Sequence, residues 1–404
     1  MRAPAVSRTV WALGVTSLFT DISSEMVASV LPLYLVLHLG MSPLAFGIVD
    51  GLYQGAAALT RVAAGILSDR WRRHKAIAAS GYALSAACRF LFIIAGDAWN
   101  AIAGIIVADR LGKGIRTAPR DALISLSTPP SLLATAFGVH RALDAAGAML
   151  GPIVAFAILA LVPGGFDLLF VVSFVVAVVG VGAIVLLVPG DRQSDGGDGA
   201  GVGISRAGAT ALLLDREYRG LVIAGVVLTL ATVSDAFIYL LVQRRFGVPA
   251  MAFPLLYVGT SLCTAMFAVP CGRLADRLGR RLVLVAGYGL LGGVYAALLV
   301  PAHVAAPLIG LLVVTMLGGY YAATDGVLTA MTAARLSPAQ TGTGLALLTT
   351  TVNLSRLGAS VVFGWMLTVG GENLAVGGYI GMLLIAVAIA SLLLPTAPAH
   401  ERAA

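Results

Sequence analysis

Long apolar runs separated by short polar stretches rich in arginine make up nearly the whole chain, and no segment shows the strict apolar–polar alternation of a half-buried strand. A helix needs about 20 mainly apolar residues to cross a hydrocarbon layer of roughly 30 Å. Twelve runs reach that length, at about 10–37, 43–66, 76–96, 100–121, 132–161, 168–188, 219–243, 252–273, 282–301, 306–333, 342–369 and 374–394. In lipid, backbone N–H and C=O groups must be satisfied inside the segment, and helices achieve this where isolated strands do not. The pattern therefore predicts an all-α membrane protein with twelve transmembrane helices. The longest interruption is the polar, glycine-rich stretch 190–218, so residues 1–189 are expected to form one six-helix bundle, 190–218 a cytoplasmic linker, and 219–404 a second bundle. The first run is too long for a secretory leader and is expected to remain as a helix.

Composition removes the competing classes. The hydrophobic residues reach 59% and the charged ones only 11%, against roughly 45–50% and 25% in soluble chains. A soluble fold is excluded. The net charge of +7 and a pI near 9.6 would suit a nucleic-acid binder, but the positions of the charges argue otherwise. Of the 26 basic residues 24 are arginine, and they cluster on one set of connections: Arg70, Arg72, Arg73 and Lys75; Arg192, Arg206, Arg216 and Arg219; Arg273, Arg277, Arg280 and Arg281; Arg335. The opposite set carries Arg244 and Arg245. This asymmetry predicts that both termini are cytoplasmic, in a plasma membrane of the bacterial inner-membrane type. The three cysteines, Cys88, Cys263 and Cys271, lie within apolar runs and read as packing residues. No catalytic constellation, metal-ligand spacing or nucleotide-binding loop is present, so neither enzyme chemistry, a cofactor, a metal nor ATP drive is expected.

The two halves repeat. GILSDRWRRHK, from Gly65 to Lys75, has its counterpart in GRLADRLGRRL, from Gly272 to Leu282, so Asp69 maps to Asp276 at an offset of 207. Gly40 maps to Gly247 at 207 and Pro130 to Pro338 at 208. Three anchors in register indicate a parallel duplication of a six-helix unit, an arrangement used by secondary carriers.

These motifs resemble those of the major facilitator superfamily over essentially the full chain, and most closely its twelve-helix proton-coupled exporters. The loop G-x-L-x-D-R-x-G-R-R is matched throughout at 272–281, whereas in the first copy Arg72 replaces the inner glycine. Arg110-x-x-x-Gly114 resembles the helix 4 motif, with Lys113 and Arg116 departing from it. Gly147, Gly151 and Pro152 resemble the helix 5 antiporter motif, whose usual double glycine is here Ala155-Phe156. The resemblance implies two pseudo-symmetric bundles alternating access to a central cavity. It also implies a conformational latch at Gly65, Asp69, Arg70, Arg73, Arg110, Gly272, Asp276, Arg277 and Arg280, and a bending element at Gly147, Gly151 and Pro152.

Ionisable residues inside spans carry the functional signal, since each costs about 2.5–3.5 kcal/mol at a helix centre on insertion scales. Asp21 and Glu25 are one turn apart on helix 1 and cannot both be charged cheaply, which prepares one to hold a proton. His140 and Asp144 repeat the spacing on helix 5, and Asp235 lies at similar depth in helix 7. These five are the expected proton-coupling groups. Asp50, Arg61, Arg89, Asp109, Lys113, Arg116, Arg141 and Asp325 are further charges within spans, for which pairing (Asp109 with Arg141, Asp144 with Arg110) or snorkelling is the alternative role. Candidate substrate contacts, on helices that line the cavity in the resembling family, are Tyr53, Gln54, Arg89, Tyr239, Tyr320, Tyr321, Asn353 and Arg356. The expected function is proton-driven export of a small organic molecule by a monomer in the lipid bilayer, with no nucleic-acid partner. The alternatives are a proton-coupled importer of a nutrient, siderophore or metal chelate, and a non-transporting membrane receptor.

Overall fold

The computed structural model describes residues 6–71, 73–96, 98–190, 212–301 and 306–394, which are helical almost throughout and contain no strand. Residues 191–211, most of the predicted linker, lie outside the described residues. The helices are α1 (Arg8–Leu33, continued by a π-helical turn at Tyr34–His38), α2 (Pro43–Trp71), α3 (His74–Ala95), α4 (Trp99–Leu126), α5 (Leu133–Leu161) and α6 (Phe166–Leu187). Then come α7 in two pieces (Arg216–Leu230 and Asp235–Phe246), α8 (Phe253–Leu278), α9 (Arg280–Leu298) and α10 in two pieces (Ala306–Thr324 and Val327–Ala333). α11 and α12 are the two arms of Pro338–Leu393, divided where Gly371 leaves helical geometry.

Among the described residues, nine stretches are long and apolar enough to span a membrane. One of them contains both α11 and α12, and α2 and α4 complete the twelve. α4 falls short on hydropathy because it carries Asp109, Arg110, Lys113, Arg116, Arg120 and Asp121.

The described chain gathers into two compact units. The first holds Met1–Met41, Gly55–Gly201 and Ala250–Leu255; the second holds Ser42–Gln54, Val202–Pro249 and Leu256–Ala404. In the first, α1 packs on α5 and α6, and α3 on α4 and α6. Between membrane helices the hydrophobic effect gives little, so close backbone approach and hydrogen bonds must hold the contacts. Gly147 and Gly151 supply that approach. A Cβ at Gly147 would lie 2.6 Å from the Leu18 carbonyl oxygen, and one at Gly151 would lie 2.7 Å from that of Ile22. In the second unit α9 packs on α10, and the pair α11–α12 packs on α7.

The duplication is visible in the backbone. Gly40 and Gly247, which close the first helix of each half, adopt φ of 63° and 65°. This is the left-handed region that glycine enters without a Cβ clash, so each position requires the residue it has. Pro130 and Pro338 each open a helical segment, where a missing N–H costs nothing.

Two helices depart from the continuous spans expected. α7 unwinds over residues 231–234, and α10 breaks at Asp325–Gly326. The loose ends of α7 are satisfied from another helix: the Val233 N–H donates to Tyr295 Oη (2.8 Å), which itself donates to the Ala231 carbonyl (3.0 Å). Hydropathy alone could not locate this break, because Arg216–Phe246 as a whole stays apolar enough to span a membrane and the support for the break comes from α9.

Candidate functional site

In the first unit the interior charges form a ladder. Arg110, Lys113, Arg116 and Arg120 recur every three or four residues and so share a face of α4. Arg116 lies 3.6 Å from Asp21, and Lys113 lies 3.9 Å from Glu25, so three residues back along α4 correspond to four residues forward along α1. That is the register of antiparallel helices. One turn further, Arg120 reaches Asp121 (2.9 Å) and Asp144 of α5 (3.9 Å). Gly147 sets the approach of α5, since a Cβ there would lie 3.1 Å from the Cβ of Asp21. The Asp144 carboxyl neighbours that of Asp21.

Above the ladder, Asp109 is held between Arg89 (3.0 Å) and Arg110 (2.6 Å), and Arg89 also donates to Ser24. All three side chains are buried. The partner expected for Asp109, Arg141, is instead exposed, and the partner of Asp144 is Arg120 rather than Arg110. The reason is the packing of α3 on α4, which brings Arg89 to Asp109. His140 is buried against Ser17 (Nε2 to Oγ, 2.9 Å), and Ser17 also contacts the Tyr82 hydroxyl, over whose ring Arg116 stacks at 4.8 Å.

The second unit has a different centre. A cavity of 510 Å³ is lined by both helix breaks, Thr232–Asp235 of α7 and Thr324–Gly326 of α10. Its other polar walls include Gln54, Tyr288, Tyr320, Tyr321, Asn353, Arg356 and Ser360. Irregular backbone at membrane depth is tolerated where it lines such a space, because water or a ligand can satisfy it. Tyr321 Oη donates to Asp235 Oδ1 at 2.5 Å, and Ser360 Oγ donates to Asp50 Oδ2 at 2.6 Å. Among the described residues, Arg356 makes no ion pair within 4 Å and neither does Asp325. The ion pairs of this unit, Arg245 with Glu372 (2.9 Å) and Arg335 with Glu217 (3.3 Å), involve no residue of the cavity wall.

The sequence candidates thus fall into groups. Asp21, Glu25, Asp144 and His140 come together in the first unit, and Arg89 joins the Asp109 cluster there. Gln54, Tyr320, Tyr321, Asn353 and Arg356 share the second-unit cavity, along with Asp235. Tyr53 is half-buried on α2, and Tyr239 is buried and donates to Thr260 (2.7 Å); neither forms part of the cavity wall. Arg110 is occupied by Asp109. Of the expected latch, Arg73, Gly272, Asp276, Arg277 and Arg280 are exposed at helix ends, with Gly279 turning the corner at φ 94°. Arg72, and the surroundings of Gly65, Asp69 and Arg70, lie outside the described residues. Asp50 was visible as a charge in a span, but only its approach to Ser360, 310 positions away, marks it as part of this site.

The profile of the Major Facilitator Superfamily matches residues 13–259 and 220–404. An uncharacterized MFS-type transporter of Methanocaldococcus jannaschii is 29% identical over 372 residues, covering 91% of this chain and 90% of the relative. Among solved structures, the nucleoside transporter NupG superposes with a TM-score of 0.78 at 12% identity, over 96% of this chain and 100% of its own. A POT family transporter in complex with 5-aminolevulinic acid gives 0.75 at 13% identity, over 96% and 95%. At such identities the structural likeness establishes the fold.

Proposed function

Because the chain belongs to the Major Facilitator Superfamily and is an integral membrane transporter, we propose that it exports a small polar organic molecule by proton-coupled alternating access, holding the cargo in the second-unit cavity. The observation that carries this reading is the convergence of two helix breaks on one polar cavity. Discontinuous helices expose backbone dipoles where a carrier holds its cargo and coupling ion. Tyr288, Tyr320 and Tyr321 offer ring faces with hydroxyl edges, Arg356 offers a planar five-donor fork, and Asn353 and Gln54 offer both donors and acceptors.

Proton coupling is supported by the first unit. Asp21 is 7% exposed and neighbours Asp144, and two close carboxyl groups away from water are held most cheaply when one carries a proton. Arg116 and Arg120 already stand within 4 Å of these carboxyls and, with Lys113, stabilise the charge left when that proton leaves. Glu25 is the more accessible member, its side chain 29% exposed, and suits proton entry. His140 is the adjacent imidazole. In the second unit Asp235 responds to the cavity through Tyr321. The exposed motif at Asp276, Arg277 and Arg280, with its first-copy counterpart at Asp69, acts as the latch, and Gly147, Gly151 and Pro152 let α5 pack and bend against α1. The membrane is a plasma membrane with both chain termini cytoplasmic, and the working unit is a monomer.

The test is counterflow in proteoliposomes. Purified protein is reconstituted with a panel of radiolabelled nucleosides, short peptides, amino acids and cationic dyes, under imposed pH gradients of either sign. Accumulation against the proton flow supports export. Accumulation with it establishes the importer, and binding detected by thermal stabilisation without counterflow for any compound leaves only a receptor.

A further inference from the structure

Asp50 borders the second-unit cavity through Ser360 but has no part in the proton path described so far. It sits on the first part of α2, is 7% exposed, and is the one carboxylate of the second unit classed as buried among the described residues. Gly47 and Gly51 flank it on the same helix face and bring α2 almost into backbone contact with α11: a Cβ at Gly47 would lie 2.5 Å from the Ser360 carbonyl oxygen, and one at Gly51 would lie 2.9 Å from that of Leu357. The carboxyl is therefore clamped between two helices with no room for a hydration shell.

The groups that face it are few. Ser360 of α11 donates to it, Ser234 lies close at the α7 break, and Asp235 of α7 and Tyr257 of α8 are the titratable neighbours within electrostatic range. Tyr53 and Gln54 follow it on α2 itself. No cation among the described residues lies within 4 Å of it. Arg356, the cation of the cavity wall, is not in contact, and Asp235 is of like sign. A buried carboxylate with one hydroxyl donor and no counter-ion is costly to hold charged.

Ser360 connects Asp50 to the cavity. Ser360 lines the cavity and is bonded to Asp50, and Gln54, one helical turn beyond Asp50, lines it too. We propose that Asp50 takes up and releases a proton, exchanging it with the cavity through the Ser360 hydroxyl. In loading, a hydronium ion in the cavity gives a proton to Ser360 Oγ while Ser360 passes its own to Asp50; unloading is the reverse, with water as acceptor. The use of that proton in transport rests on the proposed function, and its exchange does not. Cargo that hydrogen-bonds Ser360 or Gln54 would block or bias the transfer, which links occupancy of the cavity to the charge beneath it.

The test needs no cargo. Infrared difference spectra of the purified protein in lipid, taken as pH is stepped from acid to alkaline, should contain the carbonyl stretch of a buried protonated carboxyl. That band should vanish in Asp50→Asn, return displaced in Asp50→Glu, and shift to higher wavenumber in Ser360→Ala, where a hydrogen bond is lost. The near-isosteric Asp50→Asn protein is first checked for unchanged elution and helix content, and Ser360→Ala provides the reading if it fails that check. A spectrum in which the Asp50→Asn difference band persists, or in which Ser360→Ala leaves it unmoved, overturns the proposal. Proton-driven counterflow in a wild-type protein lacking an Asp50 band would refute this inference alone; an Asp50 band without proton-driven counterflow would refute the coupling reading alone.

Discussion

In the first unit every acid that α1, α4 or α5 carries into the interior lies within 4 Å of a lysine or arginine. In the second unit, Asp50 and Asp235 hold hydroxyls instead, and Arg356 faces open space. The helices differ in parallel. α4 runs unbroken past Pro119, whereas α7 and α10 both unwind beside the cavity. The two units have thus been filled in two ways, with paired charge and continuous backbone in one, and with a polar chamber and severed backbone in the other. The first arrangement tolerates no missing member, because an unmatched charge is stranded. The second is built to present groups that something else will satisfy.

The largest effect expected from this contrast is at Asp109. Asp109→Ala strands Arg89 and Arg110 in the interior and should cost about 3–5 kcal/mol, seen as a collapse of the thermal transition in detergent; an unchanged transition would remove the ladder as a structural element. Next comes Gly151→Leu, which forces a side chain onto the Ile22 carbonyl. The cost should be about 1–3 kcal/mol, measurable as a lowered melting temperature, and it should be partly relieved by a smaller residue such as alanine. In the second unit the ranking of readouts reverses. Arg356→Ala should leave stability within about 0.5 kcal/mol yet weaken cargo binding by roughly 10–100-fold, the loss of a charged hydrogen bond; titration by thermal shift separates the two. The smallest effect belongs to Lys113→Met. Its pair with Glu25 is long and partly solvated, so stability should change by no more than about 1 kcal/mol, and a larger loss would show that the ladder acts as one network.

Much of this was legible in the chain. Apolar run length located the twelve helices, and α5, predicted at 132–161, is found at Leu133–Leu161. Gly40 and Gly247 were recognised as equivalent positions and share a backbone conformation. Five of the eight residues expected to contact cargo line one cavity. What stayed hidden depended on partners distant in sequence. Arg89 reaches Asp109 through the α3–α4 contact, Tyr295 supports the break in α7 from 62 positions away, and Ser360 identifies Asp50 from 310. Hydropathy records how apolar a segment is and carries no information about which helix faces which.

The phenol of Tyr295 has one more implication. By bonding both cut ends of α7 it makes the opening a resting property of the fold, present before anything enters. An arriving molecule then meets a vestibule already shaped, and no part of its affinity is diverted into melting a turn of helix. Such a receptacle can release what it holds as readily as it accepts it, which suits a machine whose turnover depends on letting go.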